Sequence, residues 1–173
     1  DGKLVGLGYQ ATGGAFIYRR SIAKDVWGDD SPEFVAEKIG AGSGYNAAIM
    51  AELVGPGGRV ITMERHGSLA KRAARVLLER GYSNVQVVVG DGSLGYPEEA
   101  PYDRISVTCG APGVPGPLAE QLGEGGVMVI PVGGLEHQSL LRVRKVGGRT
   151  ATEDLGSVIF VPLIGERGHR SKQ

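Results

Sequence analysis

Short apolar segments alternate with longer amphipathic segments from Lys38 onward, and this alternation restricts the possible folds more than any other feature of the sequence. The pattern is typical of β-α-β units, in which a helix connects two parallel strands. It predicts an α/β fold with a mainly parallel, doubly wound sheet. The predicted strands are Arg59–Met63, Val85–Val89, Ile105–Thr108 and Val127–Val132, and the predicted helices are Tyr45–Val54, Ser68–Arg80 and Pro117–Leu122.

The C-terminal part of the chain departs from this alternation. Three extended segments follow one another there without a helical segment between them, namely Ser139–Val146, Gly148–Thr152 and Ile159–Leu163. They predict an antiparallel section that closes the sheet. The polar and basic residues from Arg167 to the end are expected to form a frayed tail.

Length and composition indicate a single domain. The chain has 173 residues, of which 41% are hydrophobic, and this is enough to bury a core. Four parts can be distinguished within it: an N-terminal segment at residues 1–37, a cofactor-binding β-α-β core at 38–133, the antiparallel section at 134–166 and the tail at 167–173.

The charge balance and the cysteine content limit the possible partners and the compartment. Nineteen basic residues balance nineteen acidic ones, so we expect no nucleic acid and no membrane surface as a partner. The single Cys109 cannot form an internal disulfide, and no apolar run approaches the roughly 20 residues that span a bilayer. The N-terminus lacks the order of a secretory signal. These features favour a cytoplasmic protein.

A glycine-rich loop, Gly40-Ala41-Gly42-Ser43-Gly44, lies between the apolar segment Phe34–Ile39 and the first predicted helix. Glycines at such a position let the backbone approach a ligand closely. The fingerprint for nicotinamide dinucleotides requires glycine or alanine at the sixth place, where this chain has Tyr45. The loop also lacks the Gly-Lys-Ser/Thr ending of a phosphate-binding loop. It therefore predicts a ligand site and argues against a dinucleotide.

Two acidic residues follow the next two predicted strands. Glu64 lies 20 residues after Gly44, where this class of fold places a carboxylate that accepts ribose hydroxyls, although a solvated acid at the end of a strand would have the same spacing. Asp91, between two glycines, is suited to accept from an exocyclic amine such as adenine N6, but an ordinary turn would have the same composition. The binding interpretation is favoured because the loop and both acids fall at successive carboxyl ends of strands.

Seven ordered blocks between Gly40 and Gly168 resemble the signature of the protein-L-isoaspartate O-methyltransferases. Two of them, Val107–Pro112 and Phe160–Glu166, are more particular to this family than the glycine loop is. The glycine loop belongs to a third block, Gly40–Ala48, and the remaining four are Val60–Arg65, Val89–Gly92, Pro101–Ile105 and Ile130–Gly133. The resemblance implies a Rossmann-like fold and S-adenosylmethionine as cofactor, with S-adenosylhomocysteine as product. The cofactor-binding residues that it implies are Gly40, Ala41, Gly42, Ser43, Gly44, Glu64, Arg65, Asp91 and Gly92.

The N-terminal segment departs from the family pattern. The segment Gly8–Gly14 resembles only the first half of the family's Gly-Gln-Thr-x-Ser-x-Pro-His stretch, which makes Gln10 and Thr12 the expected catalytic equivalents. An extra helical segment that usually begins family members is missing. The stretch Glu37–Gly40 has one residue more than the family's Glu-Ile-Gly, and a β-bulge would be needed to absorb it.

The resemblance implies methyl transfer to the carboxylate of L-isoaspartyl residues in damaged proteins and peptides. A carboxylate with a pKa near 4 is already ionised at neutral pH, so the reaction requires no general base. Orientation of the oxygen in line with the methyl carbon would then supply most of the catalysis. Residues Thr108, Val161 and Leu163 are expected to hold the substrate chain in an extended pose. We expect the enzyme to be a monomer.

No metal is expected, because the three histidines His66, His137 and His169 are widely dispersed along the chain. Cys109 is expected to be a small buried residue, since no neighbouring base is visible that would activate its thiol.

Two other functions are compatible with the sequence. The same fold serves methyltransferases that act on a different acceptor, because a fold does not determine function. Because the N-terminal substrate block is incomplete, the chain could also be a non-catalytic or engineered domain that binds S-adenosylmethionine without turnover.

Overall fold

The computed structural model describes the backbone of residues 5–9 and the whole of residues 44–170. Its sheet has seven strands in the order β3-β2-β1-β4-β5-β6-β7. The strands are β1 at Val5–Tyr9, β2 at Arg59–Glu64, β3 at Val85–Val89, β4 at Tyr102–Ser106, β5 at Leu122–Gly133, β6 at Gln138–Val146 and β7 at Arg149–Val158. The helices are α1 at Tyr45–Val54, α2 at Gly67–Glu79 and α3 at Gly116–Glu120, with 3₁₀ turns at Gly92–Leu94 and Pro97–Glu99.

The sheet combines a parallel and an antiparallel part, as the sequence predicts. Strands β1 to β5 pair in parallel, whereas β5, β6 and β7 form an antiparallel meander. The α/β class with an antiparallel C-terminal section is therefore confirmed. The strand order reverses at β1, which lies between β2 and β4, and sheets of this kind bind ligands at such a reversal.

The strand Val5–Tyr9 was not predicted. It occupies the centre of the sheet, although two of its five residues are glycines, which weaken strand propensity. The segment Phe34–Ile39, together with the bulge expected near Gly40, lies outside the described residues.

Helices pack on both faces of the parallel part. Successive residues of a strand point to opposite faces, so Val60 of β2 packs with buried residues of α1 and α2, whereas Ile61 belongs to a second cluster that includes Leu118 of α3. The side of α1 that contacts the sheet carries small side chains, since its buried residues are Ala47, Ala48 and Ala51. This helix ends at Gly55, whose φ of 70° suits glycine.

Most elements of the parallel part agree closely with prediction. Helix α1 and strand β3 have the predicted bounds, and β2 and α2 differ by one residue at their ends. Strand β4 runs from Tyr102 to Ser106, so the predicted bounds Ile105–Thr108 are wrong at both ends. Its start was missed because two polar residues, Asp103 and Arg104, follow the buried Tyr102. Helix α3 ends at Glu120 instead of Leu122, which begins β5.

Strand β5 is longer than its predicted span of Val127–Val132. It has 12 residues, and its first half contains glycines that resemble a turn in the sequence. Its pairing with β4 shifts register between Tyr102 and Arg104, so the glycine-rich half still joins the sheet.

The C-terminal segments differ most from prediction. Strand β7 runs from Arg149 to Val158, well beyond the predicted Gly148–Thr152. The predicted strand Ile159–Leu163 is wrong: this segment forms no ladder with its neighbours and makes one isolated parallel bridge, between Pro162 and Gly110. Proline lacks the N–H that a continuous ladder requires.

The chain beyond Gly165 is tied down for several residues past the expected start of the tail. The N–H of Gly168 donates to the carbonyl of Gly165 at 3.2 Å, and the N–H of His169 donates to the carbonyl of Leu163 at 2.7 Å. The expectation of fraying from Arg167 is therefore wrong as far as His169. None of the helices within residues 44–170 is long and apolar enough to cross a membrane.

Candidate functional site

The candidate site lies where β2, β3 and β4 end. Glu64 is the last residue of β2, Gly90 follows β3, and Val107 follows β4. These strands are parallel, so their carboxyl ends share one edge of the sheet. The structure thus brings together segments that are separated by more than forty residues in the chain.

Glu64 has an unusual environment for a carboxylate. The residue is 5% exposed. Its Oε1 accepts a hydrogen bond from the backbone N–H of His66 at 2.8 Å. Its Oε2 is buried and has no hydrogen-bond partner among the described residues. Leaving a buried polar atom unpaired costs about 1–3 kcal/mol, and more for a charged group. The geometry therefore fits an acceptor that awaits a ligand hydroxyl and argues against a solvated strand end.

Asp91 is engaged by the protein itself. Its Oδ1 accepts from the backbone N–H of Ser93 at 2.9 Å and from the Ser93 hydroxyl at 2.8 Å. Its Oδ2 accepts from the backbone N–H of Glu166 at 2.7 Å. Asp91 therefore has the turn-forming role that the Gly-Asp-Gly sequence also allowed. Oδ1 already accepts two hydrogen bonds and Oδ2 accepts one, so Oδ2 keeps a lone pair for a ligand and the adenine contact stays a prediction.

These contacts also keep Asp91 ionised. Burial by itself would raise the pKa of the Asp91 carboxyl. The hydrogen bonds from the Glu166 N–H, the Ser93 hydroxyl and the Ser93 N–H outweigh burial, the charge of Arg65 adds to them, and the pKa is lowered below its usual value. Arg65 itself is exposed, and Gly92 is buried at the start of the 3₁₀ turn.

The described part of the glycine loop is Gly44. It precedes α1 with a φ of 81°, a conformation that favours glycine. A Cβ there would lie 3.0 Å from the side chain of Leu77 in α2. Gly44 therefore serves both the turn and the close packing of the two helices. The other predicted members Gly40, Ala41, Gly42 and Ser43, and the predicted catalytic residues Gln10 and Thr12, lie outside the described residues.

Thr108 and Cys109 follow β4 at the same edge. The Oγ1 of Thr108 is buried and has no nitrogen or oxygen partner among the described residues. Cys109 is 2% exposed. Burial raises the pKa of its thiol to about 12, and the negative charge of Glu64 adds to the effect. The thiol is therefore protonated at neutral pH and is no nucleophile, which agrees with a small buried residue.

Val161 and Leu163 are held against the turn that contains Thr108. The N–H of Gly110 donates to the carbonyl of Val161 at 2.8 Å, and the N–H of Leu163 donates to the carbonyl of Gly110 at 2.8 Å. In this parallel pattern the backbone of the intervening Pro162 faces away from Gly110. The edge left for an extended peptide is thus the one that carries the Pro162 carbonyl.

Gln138 is a positioning residue that the sequence analysis missed. It is 1% exposed. Its amide nitrogen donates to the carbonyls of Phe160 and Gly134 at 3.0 Å, and its amide oxygen accepts from the Phe160 N–H at 2.8 Å. A Cβ on Gly110 would lie 2.5 Å from this amide. The available signal was a glutamine at the start of β6, a position that does not indicate its distant partner Phe160.

Metal-binding side chains are not grouped at this edge. Within residues 5–9 and 44–170, no three His, Cys, Asp or Glu side chains lie close enough together to hold a metal ion. His66 follows Glu64, His137 precedes β6, and His169 lies in the C-terminal turn.

Comparisons with known proteins identify the family of the chain. The sequence model of the protein-L-isoaspartate(D-aspartate) O-methyltransferase family matches residues 32–168, so the similarity begins before the predicted Gly40. The protein-L-isoaspartate O-methyltransferase of Methanococcus maripaludis is 47% identical over 164 residues, which cover 95% of this chain and 76% of the relative. That of Methanosarcina mazei is 55% identical over 134 residues, which cover 77% and 55%.

Two solved structures have the same fold. A protein-L-isoaspartate O-methyltransferase matches with a TM-score of 0.72 and 28% identity, over 97% of this chain and 44% of that chain. A putative one from Plasmodium falciparum, in complex with S-adenosyl-L-homocysteine, has a TM-score of 0.65 and 21% identity over 93% and 66%. The chain spans only 55% to 64% of the length of several curated relatives.

Proposed function

The chain belongs to the protein-L-isoaspartate(D-aspartate) O-methyltransferase family, and on this premise we propose that it methylates the carboxylate of L-isoaspartyl residues in damaged proteins and peptides. The methyl donor is S-adenosylmethionine. The observation that carries the proposal is the buried Oε2 of Glu64, which lies at the carboxyl edge of the parallel strands and has no hydrogen-bond partner in the described part of the chain. A nucleoside sugar would supply the missing donor.

The chain's own residues hold the cofactor in distinct ways. Glu64 would accept from the ribose hydroxyls through Oε2, while its Oε1 accepts from the backbone N–H of His66 after β2. Asp91, Gly92 and Arg65 line the adenine side, where Gly92 leaves room for the ring. The glycines that the sequence places between Gly40 and Gly44 are proposed to let the backbone approach the ligand. The cofactor supplies an electrophilic methyl group on a sulfonium.

The acceptor residues orient a nucleophile that is already charged. The isoaspartyl carboxylate is ionised at neutral pH, so no residue has to remove a proton. A bond forms between its oxygen and the methyl carbon while the methyl–sulfur bond breaks, which gives a methyl ester and S-adenosylhomocysteine. The Thr108 hydroxyl, which has no nitrogen or oxygen partner among the described residues, would donate to the acceptor. Gln10 and Thr12 are proposed as further orienting donors.

The peptide runs along the segment that contains Val161 and Leu163. Its backbone contacts the outward edge at Pro162, because the inward polar groups of the two flanking residues are bonded to Gly110. Orientation by this edge and by Thr108 contributes several kcal/mol to catalysis. The neighbouring backbone nitrogen then attacks the ester carbonyl and methanol leaves, which closes a succinimide. Addition of water opens this ring partly to normal aspartate.

The test is transfer of labelled methyl from S-adenosylmethionine to an isoaspartyl peptide and to its normal aspartyl twin. We expect labelling of the isoaspartyl peptide alone. Equal labelling would indicate a different acceptor specificity. Binding of S-adenosylhomocysteine without any turnover would indicate a non-catalytic binding domain.

A matched pair of variants tests the role of Glu64. Glu64→Gln keeps the size of the side chain but replaces the free acceptor, so we expect S-adenosylhomocysteine to bind at least about tenfold more weakly, the loss of roughly one charged hydrogen bond. Glu79→Gln, on the exposed side of α2, serves as the control. Unchanged affinity in the Glu64 variant, measured by calorimetry, would contradict the assignment.

The setting of the enzyme is also a proposal. The protein is a single domain with the four parts given above, and it works as a cytoplasmic monomer without nucleic-acid partners. The balanced charge and the single cysteine support this proposal. Light scattering after size-exclusion chromatography tests the monomer.

A further inference from the structure

The turn after β3 is bonded to a segment more than seventy residues later in the chain. Asp91 and Ser93 contact the backbone of Gly165, Glu166 and Arg167, and these five residues are called the clasp below. The Glu166 N–H donates to Asp91 Oδ2 at 2.7 Å. The Arg167 N–H donates to Ser93 Oγ at 3.0 Å. Two successive backbone amides are thus held by one turn.

Ser93 is the centre of the clasp. It is fully buried, at 0% exposure. Its hydroxyl donates to Asp91 Oδ1 at 2.8 Å and accepts from the Arg167 N–H at 3.0 Å. The hydroxyl therefore orients the carboxylate of Asp91 and binds the C-terminal segment at the same time. An alanine would lose both contacts and leave the Arg167 amide without its partner.

Gly165 shows how closely the two segments approach. A Cβ at this position would overlap Asp91 Oδ1 and would lie 2.6 Å from Ser93 Oγ. A side chain cannot be accommodated there unless one segment moves. The contact therefore depends on glycine for close approach, at a position where the sequence alone shows only a turn.

The clasp continues into the segment that is proposed to bind the acceptor. Leu163 is bonded to His169 and Gly165 to Gly168, so the chain after Leu163 forms one compact turn. Upstream, Gln138 holds Phe160 and Gly110 holds both Val161 and Leu163. The stretch Phe160–Gly165, called the acceptor segment below, is thus fastened upstream by Gln138 and Gly110 and downstream by the clasp.

We infer that Ser93 is a positioning residue that couples the cofactor site to the acceptor segment. The inference rests on the proposed function, in which Asp91 lines the adenine side and Val161 and Leu163 hold the peptide. A cofactor that contacts Asp91 restrains the same carboxylate that binds Glu166. Linkage is reciprocal, so peptide binding then strengthens cofactor binding by the same factor.

The first test needs no acceptor. Amide exchange at Glu166 and Arg167 is measured by NMR in the presence and absence of S-adenosylhomocysteine. We expect the ligand to slow exchange at both amides in the unaltered protein, and Ser93→Ala to remove this effect. Ser83→Ala, an exposed serine before β3 at the opposite end of the strand, is the matched control. Equal slowing in both variants would overturn the inference.

The second test separates coupling from general stability. In Ser93→Ala we expect the KM for the isoaspartyl peptide to rise by about tenfold, which is within the usual range of coupling energies. The kcat and the affinity for S-adenosylhomocysteine alone should each change by less than about threefold. If the affinity for S-adenosylhomocysteine falls by as much as the KM rises, Ser93 has a merely structural role and the inference is contradicted.

A second variant covers the case in which Ser93→Ala does not fold. Gly165→Ala leaves both side chains of the turn intact and displaces the segment, so the same rise in KM and the same loss of ligand-dependent protection are expected. Unchanged values there would contradict the clasp. If the unaltered protein methylates no isoaspartyl peptide, the proposed function fails, while the exchange measurements still decide whether the clasp responds to the cofactor.

Discussion

The parallel part of the sheet and the β6–β7 hairpin are stabilised in different ways. Five of the six residues of β2 are buried, whereas nine of the ten residues of β7 are exposed. Strand β2 is covered by packing, so its stability comes from removing apolar surface from water. The hairpin depends on ladder hydrogen bonds and on a few polar contacts. The candidate site lies at the buried part, where side chains are held rigidly and away from water.

Several polar contacts of the hairpin are exposed to solvent. The carboxylate of Glu124 accepts from the backbone N–H groups of Gly147 and Gly148, which form the turn between β6 and β7. Arg142 pairs with Glu153 across the two strands. Exposed pairs of this kind contribute only about 0–1 kcal/mol. The comparison therefore predicts large effects of substitution in the parallel part and small ones in the hairpin.

The largest effect is expected at the centre of the parallel part. Ile61→Ala empties a site that is 0% exposed, and it should lower the free energy of unfolding by about 2–5 kcal/mol. Thr152→Ala on exposed β7 is the control, with an expected change within about 0.5 kcal/mol. Denaturant titration measures both. Similar losses in the two variants would remove the distinction between the regions.

A smaller effect is expected at the turn of the hairpin. Glu124→Ala removes the acceptor of two turn amides and should lower the stability by about 0.5–1.5 kcal/mol. Amide exchange should rise at Gly147 and Gly148 while the parallel strands stay protected. Glu136→Ala, in the exposed turn before β6, is the matched control. Loss of protection in the parallel strands would show that the two regions unfold as one unit.

The smallest effect concerns acid stability and compares two aspartates. Both Asp91 and Asp154 have a lowered pKa, but Asp91 is partly buried, whereas Asp154 is fully exposed and bonded to Gly156. A lowered pKa means that the folded state binds the proton more weakly. The resulting stability is complete above the unfolded pKa of about 4 and is lost as the pH falls through the folded pKa.

We therefore expect Asp91→Asn to flatten the loss of stability between neutral pH and pH values below about 4 more than Asp154→Asn does. Solvent and salt screen the exposed group. The measurement is the unfolding free energy as a function of pH for both variants. A larger change in the Asp154 variant would mean that exposed turn contacts control acid stability.

Elements whose signals are local were predicted well. Helix α1 and strand β3 both have the predicted bounds. The signals are local, because α1 contains buried alanines and is followed by Gly55, and β3 is rich in valine. Boundaries that depend on distant partners were missed. Strand β4 begins at Tyr102, whose side chain is buried in a cluster with residues from later elements such as Leu118 and Leu122. The predicted strand Ile159–Leu163 makes one isolated bridge, at Pro162.

The candidate site divides in the same way. Glu64 and Asp91 were predicted as site residues because acids at successive strand ends have a recognisable spacing, and family membership followed from short ordered blocks. The sequence could not show that Asp91 is already bonded to Glu166, or that Gln138 holds Phe160. Both contacts join residues more than twenty positions apart in the chain.

The sequence alone determined the class of fold, the order of most elements and the family, because periodicity and short motifs are properties of neighbouring residues. Tertiary structure decided which polar atoms are satisfied. Within residues 44–170 no group reaches the Oε2 of Glu64, whereas the distant Glu166 N–H reaches the Oδ2 of Asp91. Such contacts form only when remote segments pack together, so no local pattern encodes them.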